Sequence, residues 1–188
     1  MVLITNLYNL NLNMKKLLLL GLATALFIAC QEKGPERFTT TSPNIDVVKA
    51  LVKDYEEGNW DAWLSHYSSD AKVQHNEFKF SPKELQDALK ADITNYTEYA
   101  FSHAEEEIFY EQIIDDKGDT WVYFWGTWKS KIKGTDGEYI VPVHLACKMV
   151  DGQIVEEHGF YNRSAIDATF REMAMAKEMK LLEEAKKQ

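Results

Sequence analysis

Four segments rich in Val, Ile, Tyr, Trp and Phe, at 105–114, 120–133, 138–150 and 153–162, follow one another with turn residues between them. Such side chains fit the pleated, half-buried surface of a sheet. Thr135-Asp136-Gly137 and Asp151-Gly152 have the composition of tight hairpin turns. Strands joined that closely pair antiparallel, because a parallel pair needs a long crossover. The C-terminal half therefore predicts an antiparallel sheet whose two faces must be assigned.

Taking Asp151-Gly152 as a two-residue turn pairs Val150 with Gln153. Odd residues of the earlier strand then share a face with even residues of the later one. That predicts a helix-covered face carrying Val143, Leu145, Cys147 and Met149 beside Ile154, Glu156, His158 and Phe160. The preceding hairpin adds Val122, Phe124, Gly126 and Trp128. The opposite face collects Trp121, Tyr123, Trp125, His144 and Tyr161, too aromatic a set for open water. A bulge would exchange the two faces of a strand.

Helices precede the sheet. Ser42-Pro43 is a capping residue followed by proline at the first helical position, and Ile45, Val48, Leu51, Val52 and Tyr55 fall on one stripe up to Glu57-Gly58. NWDAWLSHY predicts a short second helix with Trp60, Trp63, Leu64 and Tyr67 at helical spacing. AKVQHN is a short strand placing Val73 and His75 on one side. Ser81-Pro82-Lys83-Glu84 is a capping box that starts a third helix, and a last one runs from about Ser164 to Lys187.

The first thirty residues read as an address. Lys15 and Lys16 precede thirteen mostly apolar residues, Leu17 to Ala29, and then Cys30. A basic start, a short apolar run and a small residue before the cut describe a secretory signal, with Met14 the better start. Thirteen residues of helix span about 20 Å, short of the ~30 Å hydrocarbon core. Phe27-Ile28-Ala29-Cys30 resembles a bacterial lipobox, which implies a lipidated Cys30 as first residue of the mature chain and a membrane-anchored lipoprotein of the cell envelope. Two or more acyl chains meet the requirement for stable anchoring. Residues 1–29 are thus the signal peptide, 30–42 the lipidated cysteine and a polar tether, 43–163 one folded domain and 164–188 the C-terminal helix.

The chain has 188 residues and a formal charge of -9, from 21 Lys and Arg against 30 Asp and Glu. That acidity opposes a nucleic-acid-binding surface. With Cys30 taken by lipid, Cys147 stands alone in an apolar strand and reads as a buried thiol. There is no GxSxG, no phosphate-cradling glycine loop and no HExxH. No cofactor and no metal are expected.

The order of YEEGNWDAWLSHYSSDAKVQHN, GDTWVYFWGTWKSK and DGQIVEEHGFYN along the chain resembles the NTF2-like superfamily, most closely its SnoaL-like and ketosteroid-isomerase-like branch. The resemblance implies an α+β cone: a curved antiparallel sheet wraps around the N-terminal helices and leaves a pocket at its wide end. It also implies a homodimer packed sheet face on sheet face.

The chemistry this predicts centres on two inward histidines. His75 and His158 are candidate acid/base groups, because imidazole changes charge near neutral pH, with Tyr67 as a candidate oxyanion donor. Each histidine is also readable as a hydrogen-bonded group at the pocket rim. Trp60, Trp63, Phe124, Trp128, Leu145, Glu156, Phe160 and Asn162 are the candidate pocket lining, with ordinary core as the alternative for the aromatic ones. Many enzymatic relatives carry an acid where this chain has Asn162, and an amide cannot shuttle a proton. Trp121, Tyr123, Trp125, His144 and Tyr161 form the candidate dimer face, unless the C-terminal helix covers them. The functional expectation is binding of a small apolar molecule. A SnoaL-like isomerase, cyclase or hydrolase and a non-catalytic assembly module are the alternatives.

Overall fold

The computed structural model describes residues 37–187; the segment expected to be a signal peptide, Cys30 and most of the expected tether lie outside them. The first strand is β1 (Phe38–Thr39), followed by α1 (Pro43–Glu57), α2 (Trp60–Ser65), β2 (Tyr67–His75), β3 (Phe78–Phe80) and α3 (Pro82–Ile93). Then come β4 (Tyr96–Phe101), β5 (Ile108–Ile114), β6 (Thr120–Ile132), β7 (Glu138–Val150), β8 (Gln153–Tyr161) and α4 (Ser164–Ala185). No helix among the described residues is long and apolar enough to cross a membrane.

The helix starts follow local chemistry. The Ser42 hydroxyl accepts from the Ile45 N–H, and Gly58 ends α1 in the left-handed region at φ 70°. In α3 the Ser81 and Glu84 side chains satisfy each other's backbone N–H groups, which lowers the Glu84 pKa. Helix α1 buries Ile45, Val48, Leu51 and Val52 against the sheet. Those residues join Val122, Phe124, Cys147 and Ile154 in a continuous core.

The sheet has eight strands in the order β1-β5-β6-β7-β8-β2-β3, with β4 paired to the far end of β6. Strand β6 changes partners along its length. Its first half pairs with β5 from Thr120 to Gly126, its second half with β4 from Trp128 to Ile132. At the end of the first half a Cβ on Gly126 would meet the Phe124 ring at 2.3 Å, so glycine leaves the room in which Phe101 and Phe124 meet edge to face. Strands β2 and β8 run parallel, the only such pairing among the described strands.

Three strands escaped the sequence reading. Strands β1 and β3 are very short, and β4 carries a register break between Tyr96 and Glu98 that spoils its alternation. Strand β1 lies in the stretch expected to be tether: Phe38 pairs with Ile113, and the Arg37 Nε donates to the Ile114 carbonyl at 2.9 Å. The chain is thus held to the sheet from Arg37 onward. At the other end, α4 buries Ile166 and leaves its second half exposed, Leu181 at 58%. It does not cover the outer aromatic face, where Trp125 is 41% exposed.

The β7–β8 hairpin decides the site. Its turn is as expected, with Asp151 at φ 49° and Gly152 at φ 78°. Met149 faces Ile154, yet Lys148 already faces Glu156. Val155 is the extra residue of a β-bulge, and past it every side chain of β8 changes face.

Candidate functional site

The bulge turns Glu157, Gly159 and Tyr161 inward beside Cys147, Leu145 and Val143. The parallel neighbour β2 sets His75 opposite Gly159. A Cβ on residue 159 would meet the His75 ring at 2.6 Å, so the glycine is the condition for the imidazole lying there.

Five polar side chains form one cluster here. The Tyr67 hydroxyl donates to Glu157 Oε2 at 2.7 Å, and His75 Nε2 lies 2.7 Å from Glu157 Oε1. The Cys147 thiol donates to the same carboxylate from 3.7 Å, and His75 Nδ1 lies 3.3 Å from the Tyr161 hydroxyl. Glu157 is 1% exposed and His75 6%. A buried carboxylate is tolerated when donors surround it, which is its situation here. Burial, and then the neighbouring Glu157 charge, push the Tyr67 hydroxyl and the Cys147 thiol well above their usual pKa values. Both groups therefore remain donors. With His75 Nε2 carrying its hydrogen toward Glu157, neutral imidazole offers Nδ1 as acceptor to Tyr161. Burial raises the Tyr161 pKa as well.

Beside this cluster lies a cavity of about 120 Å³. Leu51, Trp63, Phe101, Trp128 and Leu145 supply apolar walls, with Glu157, His75 and Tyr161 as a polar patch. The size is close to the ~150 Å³ of an apolar cavity that admits benzene. The Trp128 indole N–H is already committed to the Tyr55 hydroxyl at 3.1 Å, and Tyr67 and His75 to Glu157. The Tyr161 hydroxyl keeps a free acceptor position for a ligand, and the Tyr55 hydroxyl, which accepts from Trp128, keeps its own hydrogen to donate. At the rim, Arg163 donates to both Asp92 oxygens at 3.0 and 3.3 Å, and Tyr96 donates to Asp92 at 3.3 Å. No group of three His, Cys, Asp or Glu among the described residues is placed to hold a metal ion.

Comparison with known proteins bears on the architecture. No family model matches the sequence, and no curated protein matches it. Solved structures do match. A protein named as a SnoaL-like polyketide cyclase from Shewanella putrefaciens superposes with a TM-score of 0.53 at 12% identity, covering 70% of this chain and 98% of that one. An NTF2-like protein of unknown function from Burkholderia pseudomallei gives 0.53 at 11%, covering 67% and 95%. A protein of ketosteroid-isomerase-like fold from Catenulispora acidiphila, in complex with trimethylamine, gives 0.51 at 12%, covering 66% and 89%. The chain has the NTF2-like fold. It is an α+β domain, its sheet curled around the helices, with the SnoaL-like and ketosteroid-isomerase-like proteins among its structural neighbours.

Within that NTF2-like domain the expected site residues separate into two groups. His75, Tyr67, Trp63, Trp128 and Leu145 line the cavity. His158, Glu156 and Phe160 do not: the bulge at Val155 places them on the outer face, where His158 Nε2 contacts Glu156 at 2.9 Å and Phe160 is 52% exposed. Tyr161, expected on the outer face, lines the cavity for the same reason. Tyr67 spends its hydroxyl on Glu157 and is not poised as an oxyanion donor. Phe124 is fully buried against Phe101 and Tyr110, and the half-buried Trp60 packs edge-on to Tyr55 with Lys90 over its ring, so neither lines the cavity. Asn162 accepts from the Ser164 N–H and lines an outer hollow instead.

The outer face itself is as expected for Trp121, Tyr123, Trp125 and His144. The His144 and Trp125 rings stack at 3.8 Å, with Tyr123 at 5.6 Å from His144. Sequence reading missed Glu157, the centre of the polar cluster. Its signal was Gly159, since a glycine inside an aromatic strand marks the close approach of another group.

Proposed function

We propose that the protein is a cell-envelope lipoprotein whose NTF2-like domain binds a small, largely apolar molecule bearing one hydrogen-bonding group. The observation that carries this reading is an apolar cavity of about 120 Å³ with the Tyr161 hydroxyl on its wall, backed by His75 and Glu157. Apolar walls with a few convergent polar atoms are the usual make-up of a small-molecule site. The structural neighbour solved with trimethylamine supports a ligand of this scale. Titration with benzyl alcohol, followed by the fluorescence of Trp63 and Trp128, tests the reading. A saturable change is expected, and a signal that stays flat to the solubility limit refutes it.

A second reading rests on the Glu157–His75–Tyr161 chain itself. Such a chain can relay a proton: Tyr161 accepts one from a ligand as it hands its own to His75 Nδ1, and His75 hands its Nε2 proton to Glu157, which is what acid/base turnover of a carbonyl compound requires. Binding without turnover is the simpler account, because both His75 nitrogens already have partners inside the protein. The membrane anchor rests on Lys15 to Cys30, and the homodimer on the exposed Trp125, Phe109 and Phe160 rings.

A further inference from the structure

The direction of each hydrogen bond can be followed through the polar cluster, from its buried end to the cavity wall. Glu157 accepts from the Tyr67 hydroxyl and the Cys147 thiol on Oε2, which leaves Oε1 for His75. Imidazole is a stronger base than carboxylate, so the hydrogen between Oε1 and Nε2 belongs to the ring. A neutral ring with its hydrogen on Nε2 has a bare Nδ1, which is an acceptor. The partner of Nδ1 is the Tyr161 hydroxyl at 3.3 Å, which spends its single hydrogen there. Toward the cavity Tyr161 therefore shows lone pairs alone. The wall's free hydroxyl hydrogen is that of Tyr55, whose oxygen accepts from Trp128. Arg163 at the rim is already held by Asp92 and Asp167 and calls for no anion.

We propose that Glu157, acting through His75, fixes Tyr161 as an acceptor and so selects a neutral ligand that has a hydrogen to give: a hydroxyl compound in preference to the matching carbonyl compound. A ligand hydroxyl can donate to Tyr161 and can also accept from Tyr55, so it suits both wall groups. A carbonyl oxygen suits Tyr55 only. Against Tyr161 it sets lone pairs on lone pairs and leaves a desolvated acceptor unpaired. Glu157 is in this respect a positioning residue, whose acceptor character is read at the far end of the chain. This rests on the cavity being a ligand site, as proposed above.

Cyclohexanol and cyclohexanone, alike in size and opposite in the hydrogen bond they can make to Tyr161, test it by titration at pH 8 against tryptophan fluorescence. The alcohol is expected to bind roughly tenfold more tightly than the ketone. In Tyr161→Phe the two should bind alike. In Glu157→Gln the amide oxygen stays with its donors Tyr67 and Cys147, and the amide nitrogen donates to His75 Nε2. The ring's hydrogen then moves to Nδ1, and Tyr161 turns its own hydrogen to the cavity. The ketone should now bind the more tightly, a reversal that a merely structural loss, weakening both probes alike, does not produce. Equal binding, or a ketone preference, in the unmodified protein overturns the inference and leaves the cavity standing. Binding of neither probe overturns both. An alcohol preference that survives in Glu157→Gln means that Glu157 does not set it, and overturns the proposal. Should Glu157→Gln fail to fold, an alcohol preference that survives in Tyr161→Phe overturns it equally.

Discussion

The His75 imidazole occupies the space that any side chain at Gly159 would need: a Cβ there would stand 2.6 Å from Cδ2 and 2.8 Å from Nε2. The polar cluster thus depends on a residue with no side chain of its own. Gly159→Ala should force His75 off Glu157, cost about 1–3 kcal/mol as overpacking does, and weaken ligand binding. Urea unfolding together with the fluorescence titration measures both effects. Unchanged stability and unchanged affinity would show that the ring has room to spare.

Glu157 is the acceptor for Tyr67, His75 and Cys147 at once. Glu157→Leu removes the acceptor and leaves buried donors without partners, which should cost about 1–3 kcal/mol for each donor stranded. Glu157→Gln keeps a carbonyl oxygen in place and should cost less, about 1–2 kcal/mol. Equal losses for the two variants in denaturant unfolding would mean that the site needs the charge and not the hydrogen bonds.

The same cluster sets an alkaline limit. In the folded protein the Tyr67 and Cys147 pKa values stand above the ordinary 10.0 and 9.0, through burial and then through Glu157. The unfolded chain therefore loses these protons first. Their contribution is complete at neutral pH and drains away as pH rises past about 9 for the thiol and 10 for the phenol. Cys147→Ala should remove the earlier part of that decline in a stability profile from pH 7 to 11. An identical profile for the variant would assign the decline to other groups.

Much of this fold is legible in the sequence because its signals are local. Caps at Ser42 and Ser81, the Asp151-Gly152 turn and the alternation of Trp121 through Trp128 each follow from a few adjacent residues. The bulge at Val155 does not. Its cause is the fit of β8 against β2 and β7 together, a relation between strands far apart in the chain, and nothing in QIVEEH marks the extra residue. One slipped position exchanged His158, Glu156 and Phe160 for Glu157, Gly159 and Tyr161. Strand β4 went unread because its register breaks after Tyr96. The Arg163–Asp92 pair joins residues 71 apart and has no sequence signature.

On the outer face, Phe109 stacks on Trp125 at 5.9 Å, and Trp125 stacks on His144. If this surface packs on a second copy, Trp125→Glu buries a charge in the interface and should yield monomers in light scattering. A mass unchanged by the substitution removes the face from the interface.

The anchor is tested at one atom, the Cys30 thiol. Cys30→Ser should release the protein from the membrane fraction of the cells that make it, since no acyl chain can then be attached. Retention of the variant in the membrane would end the lipoprotein proposal.

The most direct measurement is native mass spectrometry of the protein purified from the cells that make it, followed by denaturing extraction. A small adduct is expected that leaves on denaturation, is largely apolar with a hydrogen-bonding group, and disappears in Leu145→Trp, which fills the cavity from its wall. The bare polypeptide mass, with or without benzyl alcohol added to saturation, would contradict it.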